Sequence, residues 1–315
     1  MTTASSSFLF VLVFSGFLTS VNAHVGAWHK GMYCLKGNVQ GVDDRQTNAA
    51  FQPMYKLTKR EWWFHHINNC DEFPPAPGDF LELPANGTVT IEHAVNRVFT
   101  TVAPDPVLGT FVDGKEHPGL GFTDEGKDGG CIVEPNIHTQ NETMAAGTAL
   151  AISYTSDLTK VTPENLVVFS VLYNTPWRRI ANFAVPDLPA CPPEGCMCAW
   201  GWIPNGCGEP NMYMQGFKCR VTNASPVASR MVGRAKPPVW CAGDPSKCVK
   251  GPKQVRDLGR MPSSQCSTGI QMLYWNQLEG NNIEVTGYNA AGQPNFPGYN
   301  MKCGFENGAQ NDIFL

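Results

Sequence analysis

Apolar and polar residues alternate through Thr88–Val95 (TVTIEHAV), with β-branched side chains at every second place. That period of two marks a strand with one face in a core and the other toward water. Asn86-Gly87 directly before it is a turn signal, and Leu81–Leu83 before the turn reads as a shorter strand. Ala149–Tyr154 (ALAISY) and Leu166–Tyr173 (LVVFSVLY) are short apolar runs separated by turn material, the pattern of buried strands. The best helical candidate is Pro53–Phe64, where Met54, Leu57 and Trp62 fall on one face. No segment recurs at a fixed spacing, which argues against solenoids and propellers. Many short strands with frequent turns favour an antiparallel sandwich over an α/β fold.

The chain has 315 residues and 42% hydrophobic content, enough for a sizeable core. Charged residues make up 16% and the formal net charge is −4, so there is no basic footprint for nucleic acid or for an anionic membrane. Glycine (31) and proline (25) are abundant without a collagen-like period, which requires many turns. Twelve cysteines point to an oxidising compartment and to as many as six disulfides. Cys196-Met197-Cys198 is not the C-x-x-C of a redox pair, and in an exported chain disulfides are favoured over a zinc knuckle. The predicted fold class is therefore all-β: an immunoglobulin-like antiparallel β-sandwich with long loops, few short helices and several disulfides.

Phe8–Leu18 is an uncharged apolar run followed by Val21-Asn22-Ala23, small at the two positions a signal peptidase reads. It is shorter than the roughly 20 apolar residues of a membrane span. No long apolar tail at the C-terminus announces a lipid anchor. Sequons at Asn86, Asn141 and Asn223 agree with export to the extracellular space. The expected organisation is a secretion signal over 1–23, a β-sandwich core over 24–225 and a Cys-rich extension over 226–315 packed on that core. G-x-S-x-G, H-E-x-x-H, P-loop and dinucleotide-binding patterns are all absent.

Cleavage after Ala23 would leave His24 first, and its α-amine and ring Nδ1 could chelate one metal ion. Nitrogen donors of this kind suit Cu(II), which stands high in the affinity order and prefers tetragonal geometry. One further imidazole would complete a three-nitrogen set. Of the other six histidines, His93 lies inside a predicted strand and reads as a satisfied sheet residue. His65 and His66 read as an exposed polar pair, and His29 is close to His24 in sequence with little to direct it. His117 and His138 remain as candidates. Trp62 and Trp63 could stack on sugars or simply pack; Trp200 and Trp202 alternate as strand residues do.

His24-Val25-Gly26-Ala27-Trp28 with Gly31-Met32-Tyr33-Cys34, then Asn165–Ser170, Thr175-Pro176-Trp177 and Cys198–Trp202, come in order behind the apolar leader. Together with Cys207–Cys219 (CGEPNMYMQGFKC), these blocks resemble auxiliary-activity family 14 of the fungal lytic polysaccharide monooxygenases. The resemblance spans most of residues 24–225 and, more loosely, the tail. It implies one copper per chain, held by a histidine brace with an axial tyrosine. His24 takes the N-terminal place, Tyr213 the axial one, and His138, just ahead of a strand, is favoured over His117. Asn211 and Gln215 would be outer partners, with Asn211 standing where related families carry Gln. The Asn141 sequon lies three residues from His138 and could bring a glycan close to the metal.

The function implied is secreted, oxidative cleavage of plant cell-wall polysaccharide, of xylan associated with cellulose, with C1 oxidation. Its partners would be that polysaccharide, an external electron donor and O2 or H2O2, acting on a monomer. Two alternatives stay open: a histidine-brace copper protein without oxygenase activity, and a metal-free, disulfide-rich wall protein.

Overall fold

The computed structural model describes residues 24–120, 130–132, 134–207, 210–225, 230–242, 244, 246–248, 267–288, 292 and 294–315. The predicted signal at 1–23 and Cys266 lie outside the described residues. Among the described residues there are eleven strands: β1 (Gly26–Trp28), β2 (Leu81–Pro84), β3 (Thr88–Ala94), β4 (Thr148–Ser153), β5 (Val167–Leu172) and β6 (Ile180–Ala184) in the first half. β7 (Cys196–Trp202), β8 (Tyr213–Thr222), β9 (Arg234–Lys236), β10 (Ser267–Ile270) and β11 (Gly308–Ala309) follow. They form a six-stranded sheet ordered β11-β5-β4-β7-β8-β2, a three-stranded sheet ordered β1-β3-β6, and a parallel β10-β9 pair. The expectation of an all-β, immunoglobulin-like sandwich holds, and the strands predicted around 81, 88, 149 and 166 are all found.

Strand periodicity splits the large sheet between two cores. On β7, Cys196, Cys198, Trp200 and Trp202 join the core shared with the small sheet, while Met197 and Ala199 face the other way. On β4, Leu150 and Ile152 take the first side and Ala149 and Ala151 the second. The second core is closed by Trp62 and Phe64 and by Met272, Leu273, Tyr274, Tyr299 and Phe305 from the C-terminal segment. A sheet covered on both faces buries every residue of its central strands, and β4 and β7 are buried throughout.

Among the described residues five disulfides pin this arrangement: Cys34–Cys70, Cys131–Cys207, Cys191–Cys196, Cys198–Cys219 and Cys241–Cys248. Among the described residues Cys303 is a buried thiol, and burial pushes it up to about 12.

The predicted helix over Pro53–Phe64 is reduced to one turn, α1 (Lys59–Trp62), with a Thr58–Glu61 capping box. Met54 instead makes paired backbone hydrogen bonds with Met212, and Lys56 sits at φ 51, which stops a helix from propagating. Phe64 and His65 also take left-handed backbone angles. That turn drives Phe64 against β8, where a Cβ on Gly216 would lie 2.6 Å from its ring.

His65 and His66 are thus not the exposed pair expected. His65 is buried with Nδ1 3.1 Å from Asn68 Oδ1, and His66 is half-buried with Nδ1 2.8 Å from Asp71. His93 is in β3 as expected, with its ring buried against Trp200 and Phe183. Trp62 stacks on Tyr274 at 5.1 Å and Trp63 meets the edges of both, so this pair packs.

Burial lowers His93 to about 3 and His65 to about 4. Both lie below the roughly 6.5 of an unfolded histidine, so on acidification the unfolded chain takes up protons that the folded chain refuses. Stability should be complete above about pH 6.5 and fall toward pH 4, by up to about 1.4 kcal/mol per pH unit for each such histidine. Denaturant melts across that range check this. A His93→Leu variant should show a shallower slope, and identical slopes would contradict the assignment.

Candidate metal centre

The last rung of the β7–β8 ladder pairs Trp202 with Tyr213, and their rings stack 4.7 Å apart at 28°. His24, two residues before β1, brings its ring to 6.4 Å from Tyr213. β1 belongs to the other sheet, pairing Gly26 with Ala94 and Ala27 with His93. What ties it to β8 is Gln215. Ala27 N donates to Gln215 Oε1 at 2.9 Å, and Gln215 Nε2 donates to the Ala27 carbonyl at 2.6 Å. One buried amide therefore satisfies both backbone groups of Ala27 and links the two sheets three residues from His24. Gln215, expected from the resemblance as an outer partner of the metal, commits its amide to the strand that follows His24.

His138 reaches the same end of the sheet, with its ring 6.1 Å from Trp202. Its backbone is left-handed at φ 44. Nδ1 lies 2.9 Å from the Cys207 carbonyl oxygen. A carbonyl only accepts, so Nδ1 carries the hydrogen and Nε2 keeps the lone pair. This is the arrangement by which a backbone oxygen fixes the tautomer of a metal-binding histidine. The Cys207 loop is itself held: by the Cys131 disulfide, by Asn205 Nδ2 donating to the Met144 carbonyl at 2.7 Å, and by Gln140 Nε2 at 3.5 Å from the Asn205 carbonyl.

Asn211 is buried two residues before Tyr213, and its Oδ1 has no hydrogen-bond partner. Pro210, next to it, accepts from Asn276 Nδ2 at 2.8 Å, which fastens this stretch to the C-terminal segment. His117 belongs elsewhere: its Nε2 is 2.9 Å from Asp113 and its ring meets the edge of Phe111 at 5.2 Å. His29 accepts from Gly31 N at 3.3 Å, and burial lowers it to about 4. Trp202 and the Cys207 carbonyl are the parts of the cluster that sequence reasoning did not assign to it. Alternation marks Trp202 as inward-facing, but no sequence signal announces a carbonyl 69 residues from its histidine.

Among the described residues no group of three or more His, Cys, Asp or Glu side chains could hold a metal. The donors gathered here are of another kind, two imidazoles and a phenol, which suit copper better than a hard cation. A β-sandwich with such a nitrogen-rich cluster at one sheet end has the build of a copper-dependent monooxygenase.

Comparison with known proteins makes the family definite. Residues 6–315 match the profile described as lytic polysaccharide monooxygenase AA14. The chain is 36% identical over 318 residues to the AA14 family lytic polysaccharide monooxygenase B of Pycnoporus cinnabarinus, covering 98% of this chain and 74% of that one. It is 34% identical over 305 residues to enzyme A of Trametes coccinea (strain BRFM310), covering 96% and 63%. Against enzyme B of Talaromyces rugulosus the identity is 32% over 310 residues, covering 93% of each. The chain belongs to the AA14 family of lytic polysaccharide monooxygenases, copper-dependent oxidoreductases that break polysaccharides oxidatively.

Gln215→Ala should leave both backbone groups of Ala27 without partners, costing about 1–3 kcal/mol. If the clamp also directs His24, copper affinity should fall roughly 10-fold or more. Denaturant melts with copper titration read both, and an unchanged midpoint would contradict the clamp.

Proposed function

We propose that this chain, secreted after cleavage behind Ala23, binds one copper through His24, His138 and Tyr213 and oxidises xylan lying on cellulose. The observation that carries the reading is the Cys207 carbonyl fixing the His138 tautomer beside the His24–Tyr213–Trp202 ring cluster. Five disulfides support an extracellular destination.

Bound copper would supply the one-electron chemistry that lets O2 or H2O2 oxidise a sugar C–H bond, with an external donor providing the electrons. The residues have separate tasks. His24 offers two nitrogens of one residue, an α-amine and Nδ1, whose shared backbone holds them at chelating distance. His138, with Nδ1 turned to the Cys207 carbonyl, presents Nε2 to the metal. Tyr213 is stacked on Trp202 and cannot swing aside without breaking that contact, so its phenol closes one side of the site. Asn211 Oδ1, buried and unpartnered, can accept a hydrogen bond from a group entering beside Tyr213. The membership of the family supports a polysaccharide as substrate, and the resemblance implies xylan and C1 oxidation.

The histidine assignment is tested by His138→Ala against His117→Ala. The first should lose tight copper binding and the release of oxidised oligosaccharides from xylan-coated cellulose. The second should keep both. Calorimetric copper titration and product mass spectrometry are the measurements, and the reverse pattern would move the ligand to His117.

A further inference from the structure

A cavity of about 620 Å³ has none of the ring-cluster residues in its lining. Among the described residues its lining includes Phe111, His117, Asn141, Glu142, Trp177 and Arg178. Its volume falls in the roughly 300–1,000 Å³ range of small-ligand sites. Its walls mix an apolar floor with polar groups already held in place. Arg178 lies 5.7 Å over the Phe111 ring and pairs with Glu142 at 3.5 Å, while Asp113 fixes His117.

We propose that this groove seats the N-linked glycan of Asn141, its first N-acetylglucosamine units lying against Phe111 and Trp177 beside Arg178. Asn141 is a sequon residue in the lining, and its folded geometry is compatible with a sugar on Nδ2. Thr143 Oγ1 donates to Asn141 Oδ1 at 2.8 Å and Met144 N donates to the same oxygen at 3.0 Å. Both bonds use the amide oxygen, so a sugar on Nδ2 costs neither. By contrast, Asn86 Nδ2 donates to Asp187 Oδ1 at 2.8 Å on the open surface.

Core glycans are attached before the chain folds, so the finished fold must leave room for them; at Asn141 it leaves a cavity. A pyranose offers an apolar C–H face and a polar rim. The groove answers the first with aromatic rings and the second with a guanidinium, a carboxylate and an imidazole. Because these groups are already ordered by their own partners, seating the sugar orders little else. The same turn reaches the ring cluster: Thr139 Oγ1 donates to the Asn141 carbonyl at 3.1 Å, one residue after His138. A seated glycan thus occupies the groove and buttresses the segment that carries His138. The proposal does not depend on copper.

The test uses the full chain secreted from a eukaryotic host, with glycopeptide mass spectrometry and endoglycosidase digestion. The Asn141 glycan should be present and should be released from the folded protein roughly 10-fold more slowly than from its own proteolytic glycopeptide, a difference of about 1.4 kcal/mol. Arg178→Ala, which changes an exposed side chain, should speed that release and leave Asn86 and Asn223 unaffected. Absence of a glycan on Asn141 would overturn the proposal. So would release from the folded protein at the glycopeptide rate, or a rate insensitive to Arg178→Ala.

Discussion

The antiparallel register of β7 on β8 fixes the end of the sandwich where Trp202 and Tyr213 meet His24. It sets Cys196 opposite Cys219, Trp200 opposite Gln215 and Trp202 opposite Tyr213. Side chains alternate with a period of two, so a slip of one residue would send Tyr213 to the opposite face and Gln215 away from Ala27. The Cys198–Cys219 disulfide crosses this pair of strands and opposes such a slip. With the register held, Tyr213, Gln215 and Phe217 face the small sheet, and Met214 faces the core closed by the C-terminal segment.

Two polar contacts then convert a packed sandwich into a directed site. Gln215 reaches from one sheet to the first strand of the other, and the Cys207 carbonyl turns His138 into a single tautomer. Each joins segments far apart in sequence, 188 residues for the buried Gln215–Ala27 pair and 69 for the half-buried His138–Cys207 pair. Such bonds contribute modestly to stability but direct the groups they hold, because breaking one orphans a buried partner.

The legible parts of the fold were those written in local pattern. Alternation after Asn86-Gly87 marked β3, and apolar runs marked β4 and β5 to within about a residue. The predicted helix at 53–64 is cut to one turn because Met212, the residue before β8, claims the backbone of Met54, which no local period reports. His65 was misread for a related reason: consecutive left-handed residues turn a polar-looking pair inward. At the site, the position of His24 behind a cleavable leader suggested nitrogen chelation, while Tyr213 entered only through family resemblance. Read alone, Tyr213 is another core aromatic, and its stacking on Trp202 shows how well it also fills that role.

The central claim is that His24 binds copper as an N-terminal residue. Cu(II) electron paramagnetic resonance with metal stoichiometry, on protein starting at His24 and on protein with one extra residue before it, tests this most directly. The account predicts one copper per chain with an axial, nitrogen-rich spectrum in the first and loss of that signal in the second. An unchanged spectrum and full stoichiometry in the extended protein would contradict it.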